Sequence, residues 1–478
     1  MKLTRLSNKA IFVIAALLLF ASSSALAQTQ EPAKPTSEVD QLKQRLQQLE
    51  QTVTELKGQI EAIETKKKDP APAIVEAKYS ETAAPPPAET TPVDPAKPQD
   101  NGKGESTFTI YGFAMLDAGY QLKQNHPDWF DVIRPTKLPA FPNEFAPNGK
   151  TYYGVRQSRL GVKSTTPTKY GELKTQFEFE LFGTGVDAGQ TTFRLRHAYG
   201  ELGQFGAGQT WSPFMDIDVF PNSLEYWGPN GMVFFRNVQF RWMPMKGRNS
   251  VTIALERPGA SGDQGVFQDR IELQGIRGKF DLPDLSGNVR FTRDWGYLQL
   301  AGMLRRIKWV DTTDDAFDLG GTEVGAGMNI SSNLKFTGND TGRFAFVFGQ
   351  GIQNYMNDAP VDVGIELTPG GDPRRPIKGV ALPMWSMVAF LDHNWSKRFS
   401  TAAGYSFMDI DNSNGQAANA YHRGHYALTN LLFYPTDNVM VGGELQWGRR
   451  ENFLDGFKSD DFRIQFSFRY NFSKTFTY

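Results

Sequence analysis

The sequence of 478 residues contains no cysteine, which fits an oxidising compartment where free thiols are a liability. Its formal net charge is only −1, so nothing in the charge balance points to a nucleic acid partner. The mean hydropathy of −0.44 is too polar for most bundles of membrane-spanning helices. A transmembrane β-barrel stays compatible with that value, because half of each strand faces a wet lumen.

Catalytic and metal-binding patterns are also missing. There is no G-x-S-x-G nucleophile elbow and no phosphate-binding loop among the 478 residues. His422 and His425 lie three residues apart, but at a predicted strand end rather than on a helix, so they predict no metal site. The acidic stretch Asp311–Asp318 is interpreted as a solvated loop. We therefore expect no enzymatic activity, no cofactor and no metal.

The N-terminus has the three parts of a secretory signal peptide. A basic stretch, Lys2–Lys9, precedes the apolar run Ala10–Ala21, and Ala25–Ala27 provides a small-residue cleavage site. The apolar run is short for a membrane-spanning helix, which needs about 20 residues. We predict that residues 1–27 are removed on export, and that residues 28–36 form a spacer at the start of the mature chain.

Residues 37–65 carry a heptad repeat. Apolar side chains recur there with gaps that alternate between three and four residues over about four heptads, which is the 3.5-residue period of a coiled coil. The predicted core residues are Val39, Leu42, Leu46, Leu49, Val53, Leu56, Ile60 and Ile63. So narrow an apolar stripe buries little in a lone helix, so self-association is expected. The following residues, 66–106, are rich in proline and alanine and are expected to form an extended linker.

From residue 107 to residue 478 the sequence alternates between apolar and polar residues in short segments. The clearest segment runs from Phe462 to Phe472, where six large apolar residues alternate with polar or charged ones. Eleven residues of this pattern suit a lipid-facing wall better than a strand of a soluble sandwich. Sixteen such segments can be counted, an even number as expected for a single-chain bacterial barrel. The fold class predicted is an all-β transmembrane barrel of about 16 antiparallel strands.

The connections between these segments alternate in length. Short turns such as Thr166–Tyr170 and Pro435–Asn438 alternate with long stretches such as 121–151 and 355–379. Short periplasmic turns and long extracellular loops are typical of outer-membrane barrels. The parity of the strands then places both ends of the barrel, and the coiled coil, in the periplasm. Residues 258–285 are ambiguous, because they include an alternating stretch that allows two further strands.

A barrel of about 16 strands is too wide for wall side chains to fill, so a loop folded inward is expected to narrow it. The stretch 213–232 is the candidate constriction loop, since it combines acidic and aromatic residues. If the loop folds inward, its acidic residues Asp216, Asp218 and Glu225 are expected to face a wall that carries the arginines of the early strands. An exposed extracellular loop is the alternative interpretation.

Basic residues of the early strands are predicted to face the lumen. If Leu160, Phe193 and Phe240 face lipid, the alternation turns their charged neighbours toward water. The resulting pore-lining candidates are Arg159, Lys163, Arg194, Arg196, Arg241, Arg305, Glu178 and Glu180. Rings of arginine and lysine select anions. The two glutamates weaken this expected preference. Lipopolysaccharide phosphates at the membrane surface are the alternative partners of some of these cations.

Several stretches resemble a known family. The opening Phe108–Phe113, the stretch Arg156–Val162 and the stretch Ala207–Phe214, in this order after the heptads and the linker, are similar to the DcaP-like trimeric outer-membrane porins. The resemblance covers nearly the whole mature chain. It implies a homotrimer in the outer membrane of a Gram-negative bacterium, with the coiled coils in the periplasm. It also implies passive uptake of small, often anionic, organic solutes such as dicarboxylates.

The expected partners follow from this location. They are outer-membrane lipid, lipopolysaccharide, the barrel-assembly machinery and small solutes, with no nucleic acid. Phe472 occupies the place of the terminal aromatic residue that serves as an assembly signal, although Ser473–Tyr478 follow it. Two other functions stay open at this point: a sugar-specific porin, for which aromatic residues are plentiful, and a surface structural or adhesive barrel protein.

Overall fold

The computed structural model describes residues 104–259, 273 and 275–478. The signal peptide, the spacer and the coiled-coil segment predicted from the sequence lie outside these residues. The linker lies outside them up to residue 103. The described residues are therefore those of the predicted barrel and its immediate approach.

The alternating segments of the described chain form twenty strands. They are β1 (Thr107–Gln121), β2 (Lys150–Gly154), β3 (Arg159–Thr168), β4 (Gly171–Phe182), β5 (Thr191–Leu202), β6 (Phe205–Trp211), β7 (Arg236–Met245), β8 (Asn249–Glu256), β9 (Ile276–Gly278), β10 (Asp284–Arg293), β11 (Gly296–Asp311), β12 (Gly321–Lys335), β13 (Asp340–Gln350), β14 (Val363–Leu367), β15 (Ile377–Ala381), β16 (Pro383–Asn394), β17 (Phe399–Ile410), β18 (Tyr421–Thr436), β19 (Val439–Asn452) and β20 (Lys458–Thr477).

The sheet closes on itself. β1 pairs antiparallel with β20 over its whole length, from Thr107 opposite Thr477 to Gln121 opposite Arg463, and its other edge pairs with β2 and β3. β2 and β3 pair one after the other with the same edge of β1, so they count as one strand of the wall. β9 and β10 likewise pair with the same edge of β11, and β14 and β15 form a separate hairpin outside the wall. The wall is therefore a closed antiparallel barrel of 16 strands, which confirms the predicted fold class.

The two ends of the barrel differ. Both ends of the wall, at Thr107 and Thr477, lie on the side of short turns such as 169–170 and 437–438. The opposite end carries the long connections, of which four concern the interior: L1 (122–149), L2 (183–190), L3 (212–235) and L6 (351–382). The short turns mark the periplasmic end, as is usual for barrels of the outer membrane. In the described loops, single 3-10 turns lie at Pro127–Trp129, Pro135–Lys137, Gly185–Asp187, Ile217–Val219 and Gln353–Tyr355.

The last strand is longer than its alternating pattern indicates. It continues from Ser473 to Thr477, because β1 offers a paired partner for each of these residues, including Phe108 for Phe476. The extension is therefore part of the wall and not a tail. The ambiguous region 258–285 contributes the short strand β9 to the described chain, and adds no wall position to the 16.

The side chains of the wall alternate as the sequence predicts. On β20, Phe462, Phe466 and Phe468 are exposed on the outside, whereas Arg463 and Gln465 are buried on the inside. Within the described residues, no helix is long and apolar enough to cross a membrane.

One side of the lumen is filled by loops. The inner faces of β11, β13, β16 and β17 carry apolar residues such as Met303, Val347, Val388 and Met408, so these strands are apolar on both faces. L3 and L6 pack onto this surface with Phe214, Met215, Met232, Val233, Phe235, Ile352, Tyr355 and Met356. Burial of so much apolar surface anchors both loops inside the barrel. The polar remainder of the interior lies toward β3–β7, and holds the candidate site.

Candidate functional site: a basic cavity inside the barrel

The first half of L3 is held against the wall by side chains of β10–β13, among them Arg290 and Arg343, whose guanidinium donates to the carbonyl of Asp218. Arg290 of β10 contacts Asp216 at 2.6 Å and Asp218 at 2.5 Å, and its guanidinium stacks on the ring of Tyr297 at 3.9 Å. Asp216 is buried and also accepts hydrogen bonds from Tyr297 and Ser331. The expectation that these two acidic residues face the arginines of the early strands is wrong, because β10 supplies their partner.

The far half of L3 crosses the barrel to β19 and β20. The carboxylate of Glu444 accepts hydrogen bonds from the backbone amides of Leu224 and Glu225. Glu225 accepts a hydrogen bond from the amide of Ile133 in L1 at 3.1 Å and lies 3.6 Å from Arg463. L3 therefore joins L1 to the wall at a fully buried carboxylate, and burial raises the pKa of Glu225 to about 7.

A pH dependence follows from this carboxylate. Its pKa is raised from 4.5, so its contribution to stability is present below about pH 4.5 and is lost as the pH rises toward 7. We expect a protease to cleave L3 of the wild type faster at about pH 8 than at about pH 5, after each rate is divided by the rate for an unfolded substrate at the same pH. Glu225→Gln should show little of this difference. Glu172→Gln at the exposed start of β4 is the control, and an equal pH response in all three proteins would contradict the prediction.

Four arginines surround two glutamates on the inner face of β3–β7. The cluster consists of Arg159, Arg194, Arg196, Arg236, Glu178 and Glu180. Arg196 bridges both carboxylates, at 2.5 Å from Glu178 and 2.6 Å from Glu180. Arg194 lies 3.8 Å from Glu180. With four positive and two negative groups, the cluster carries a formal charge of +2.

The sequence predicts five of these six residues as pore-lining, and misses Arg236. Arg236 is the first residue of β7, where the chain leaves L3 and the alternation of the strand has not yet begun. Strict alternation from the exposed Val238 and Phe240 would turn it outward, yet its guanidinium lies 3.6 Å from Glu180. The alternation of inward and outward side chains therefore does not predict the direction of a residue at the very end of this strand.

The remaining candidates occupy different surroundings. Arg241 hydrogen-bonds Gln239 at 3.0 Å, and the amine of Lys163 lies 5.5 Å from the ring of Tyr111. Arg305 also points inward, but it is buried against Asp284 and Asp362 at 3.3 and 3.2 Å beneath L6. Arg305 thus belongs to the filled side of the barrel.

A cavity of about 740 Å³ opens between L1, L2, L3, L6 and the wall. Its charged lining consists of five basic residues and one acidic residue: Arg134, Lys137, Arg194, Arg236, Arg450 and Asp128. The counter-ions lie behind the surface, since the Glu180 side chain is 0% exposed and that of Arg194 is 17% exposed. The surface that a solute meets is therefore positive.

L1 contributes a rigid cation to this cavity. The guanidinium of Arg134 lies 4.1 Å from the ring centres of both Trp129 of L1 and Trp227 of L3, whose rings meet edge to face at 4.8 Å. Its Nε also donates to the buried carboxylate of Asp358 in L6 at 2.9 Å. Stacking and the charged hydrogen bond together fix the guanidinium where three loops meet. No group of three or more acidic or histidine side chains in the described chain is arranged to hold a metal ion.

A closed barrel of 16 strands with a loop folded into a basic interior is the architecture of an outer-membrane channel. The sequence matches the family described as DcaP outer membrane protein over residues 109–472. The chain belongs to that family. As a member of the DcaP family it is an outer-membrane channel, and its location is the outer membrane.

The chain is also similar to solved structures, of which the first has a TM-score above 0.5. The outer membrane channel DcaP of Acinetobacter baumannii is 18% identical, with a TM-score of 0.63 over 77% of this chain and 98% of that chain. An anion-selective porin from Comamonas acidovorans is 13% identical, with a TM-score of 0.48 over 77% and 100%. OmpT of Vibrio cholerae in its trimer form is 11% identical, with a TM-score of 0.48 over 77% and 100%. No curated protein matched the chain.

Proposed function

We propose that this channel admits small organic anions, dicarboxylates among them, by passive diffusion across the outer membrane. The observation that carries the proposal is the lining of the cavity, where five basic residues stand against one acidic residue. Basic side chains that line a pore favour anions, because they replace part of the water that a carboxylate loses on entry.

The arrangement of charges explains how an anion passes without being trapped. Arg194 and Arg236 lie on the wall, whereas Arg134 and Lys137 lie on L1. Each carboxylate of a solute therefore meets several partly neutralised cations rather than one unpaired charge, since Glu180 and Asp358 stand behind the arginines. Several weak sites in succession permit both entry and exit. In this proposal L3 is the constriction loop, and Arg159, Lys163 and Arg241 line the path.

A sugar-specific porin is the second candidate, because Trp129, Tyr226, Trp227 and Phe234 also line the cavity. Sugar rings stack on open aromatic faces. Here Trp129 and Trp227 already contact each other and the guanidinium of Arg134, and the ring of Tyr226 stacks on Phe182 at 3.9 Å. The occupied faces favour the anion channel.

Liposome swelling tests the proposed function. Liposomes that contain the purified protein should swell faster in a four-carbon dicarboxylate than in a neutral sugar of similar size, because the lining attracts the anion. Protein-free liposomes are the control. Faster swelling in the sugar would favour the second candidate, and no swelling with a folded barrel would contradict a channel of either kind.

We also propose a homotrimer, supported by the heptads of residues 37–65. Deleting those residues should weaken the trimer and leave the barrel folded, because the wall forms without them. The measurement is migration on native gels together with heat-modifiable migration in detergent. A monomer with the heptads intact would contradict the prediction. The exposed Phe472 and Phe476 of β20 are proposed as the signal that the barrel-assembly machinery binds.

A further inference from the structure

The outer face of the barrel carries a concentrated positive patch near the ends of β9 and β11, far from the cavity. This patch, the basic rim, consists of Arg277, Lys279, Arg306 and Lys308 around one carboxylate, Asp281. Asp281 lies 3.4 Å from Arg306 and 3.5 Å from Lys308. Among the residues that the structure describes, Asp281 is the carboxylate with which the cations of the basic rim form ion pairs.

The register shows that the basic rim faces away from the lumen. On β11, Ile307 and Trp309 are buried inside, whereas Leu304 and Val310 are exposed outside. Arg306 and Lys308 alternate with the buried residues and so share the outer face. Arg277 pairs with Val310, which places it on the same face.

The height of the basic rim corresponds to the membrane surface. Trp295, exposed at the periplasmic turn before β11, marks the lower edge of the apolar band. Arg306 follows eleven residues later, which is about 26 Å along the membrane normal for a strand tilted by about 45°. The apolar band of such barrels is about 25 Å tall, so Arg306 lies at its upper edge.

The electrostatics of the basic rim are unfavourable without an added anion. The amide of Lys279 donates to the carbonyl of Lys308 at 2.7 Å, so the two lysines are cross-strand neighbours. Like charges placed directly opposite each other on a sheet destabilise it. Elsewhere on the same end of the barrel three cations pair with three different carboxylates: Arg423 pairs with Asp409, Arg449 with Asp460 and Lys458 with Glu451. Arg306 and Lys308, by contrast, share Asp281.

We propose that the basic rim binds the phosphate groups of the phosphorylated glycolipid in the outer leaflet, that is, of lipopolysaccharide. Three observations match a ligand with two phosphates held at the membrane surface: the outward face, the height, and four cations around one acid among the residues that the structure describes. The proposal depends on the location in the outer membrane, and not on the anion preference of the channel.

Binding of diphosphoryl lipid A to the detergent-solubilised wild type, measured by native mass spectrometry, tests this proposal. Arg306→Gln with Lys308→Gln should weaken binding at least tenfold, because each removes a charged hydrogen bond. Arg423→Gln with Arg449→Gln, at the balanced end of β18 and β19, is the matched control and should bind as the wild type does. Asp281→Asn should bind more tightly, a gain that a misfolded variant cannot show.

The outcomes separate the alternatives. Three results would overturn the proposal. They are equal binding of lipid A and its dephosphorylated form, equal loss of binding in both double variants, and no gain of binding in Asp281→Asn. Full competition by millimolar inorganic phosphate would show a site for free phosphate instead, and a change in trimer content alone would show a contact between copies. Either result overturns the assignment to glycolipid. Channel conductance in lipid without glycolipid should be the same in all variants, so failure here leaves the proposed function intact.

Discussion

Replacing Arg194 and Lys137 by glutamine is expected to shift the reversal potential of the channel strongly toward cation preference. Both residues line the cavity, and both replacements remove a positive charge while keeping a polar side chain. A unit charge about 4 Å from an ion contributes about 1 kcal/mol in water, which is about fivefold in relative permeability for each replacement. The measurement is the reversal potential in a planar bilayer under a salt gradient.

Arg194 is the residue of the cluster that can be neutralised without breaking it. Glu180 keeps Arg196 at 2.6 Å and Arg159 at 3.4 Å after Arg194 is replaced. Arg196→Gln, by contrast, leaves two buried carboxylates with weaker partners and should lower the heat stability of the barrel by several kcal/mol, on the order of a broken buried pair. Testing Arg194 and Arg196 together would mix these two effects.

The control is Arg248→Gln, which removes one positive charge at a periplasmic turn where the side chain is 51% exposed. It should leave the reversal potential unchanged, since screening by salt removes its influence beyond about 10 Å. A wild type that already prefers cations, or a double variant indistinguishable from it, would contradict the anion proposal.

The wall of the barrel could be predicted from the sequence because its signals are local. Alternation along Phe462–Phe472 shows which side chains face lipid, and short turns such as 437–438 separate one strand from the next. The strand count of 16 follows from repeating this reasoning along the chain. The periplasmic end of β20 escapes the pattern, because Ser473 and Lys474 interrupt the alternation although β1 still pairs with them.

The interior could not be predicted in the same way, because its contacts join residues far apart in sequence. Arg290 follows Asp216 by more than seventy residues, and only the closure of the barrel brings them together. Alternation with the exposed Phe291 does turn Arg290 inward, but nothing local names its partner. The filled side had a signal: β11 is apolar on both faces, as in Leu300–Leu304, which predicts that something covers its inner face.

Replacing Arg290 is expected to release the first half of L3. Its guanidinium contacts both Asp216 and Asp218, so Arg290→Gln leaves the fully buried carboxylate of Asp216 without this counter-ion. Removing one partner of a buried ion pair costs about 3–5 kcal/mol, which is enough to detach a loop segment locally. Single-channel recordings should then show a larger conductance and more open-channel noise than the wild type.

The pH should modulate this defect in a definite direction. Burial raises the pKa of Asp216 above its ordinary value even with Arg290 present, and the loss of the guanidinium raises it further. The neutral form is stable in the buried position, so the variant should be quieter at about pH 5 and noisier at about pH 8.

A triple variant separates charge from packing. Arg290→Gln with Asp216→Asn and Asp218→Asn removes all three charges, and a neutral hydrogen-bonded set of similar shape can replace a buried ion pair at little cost. The triple variant should therefore record as quietly as the wild type at both pH values. If Arg290→Gln alone is quiet at both, the apolar packing of Phe214 and Met215 and the remaining hydrogen bonds, such as that from Arg343 to the Asp218 carbonyl, are sufficient to hold L3. The ion pairs of Arg290 are then not what positions it.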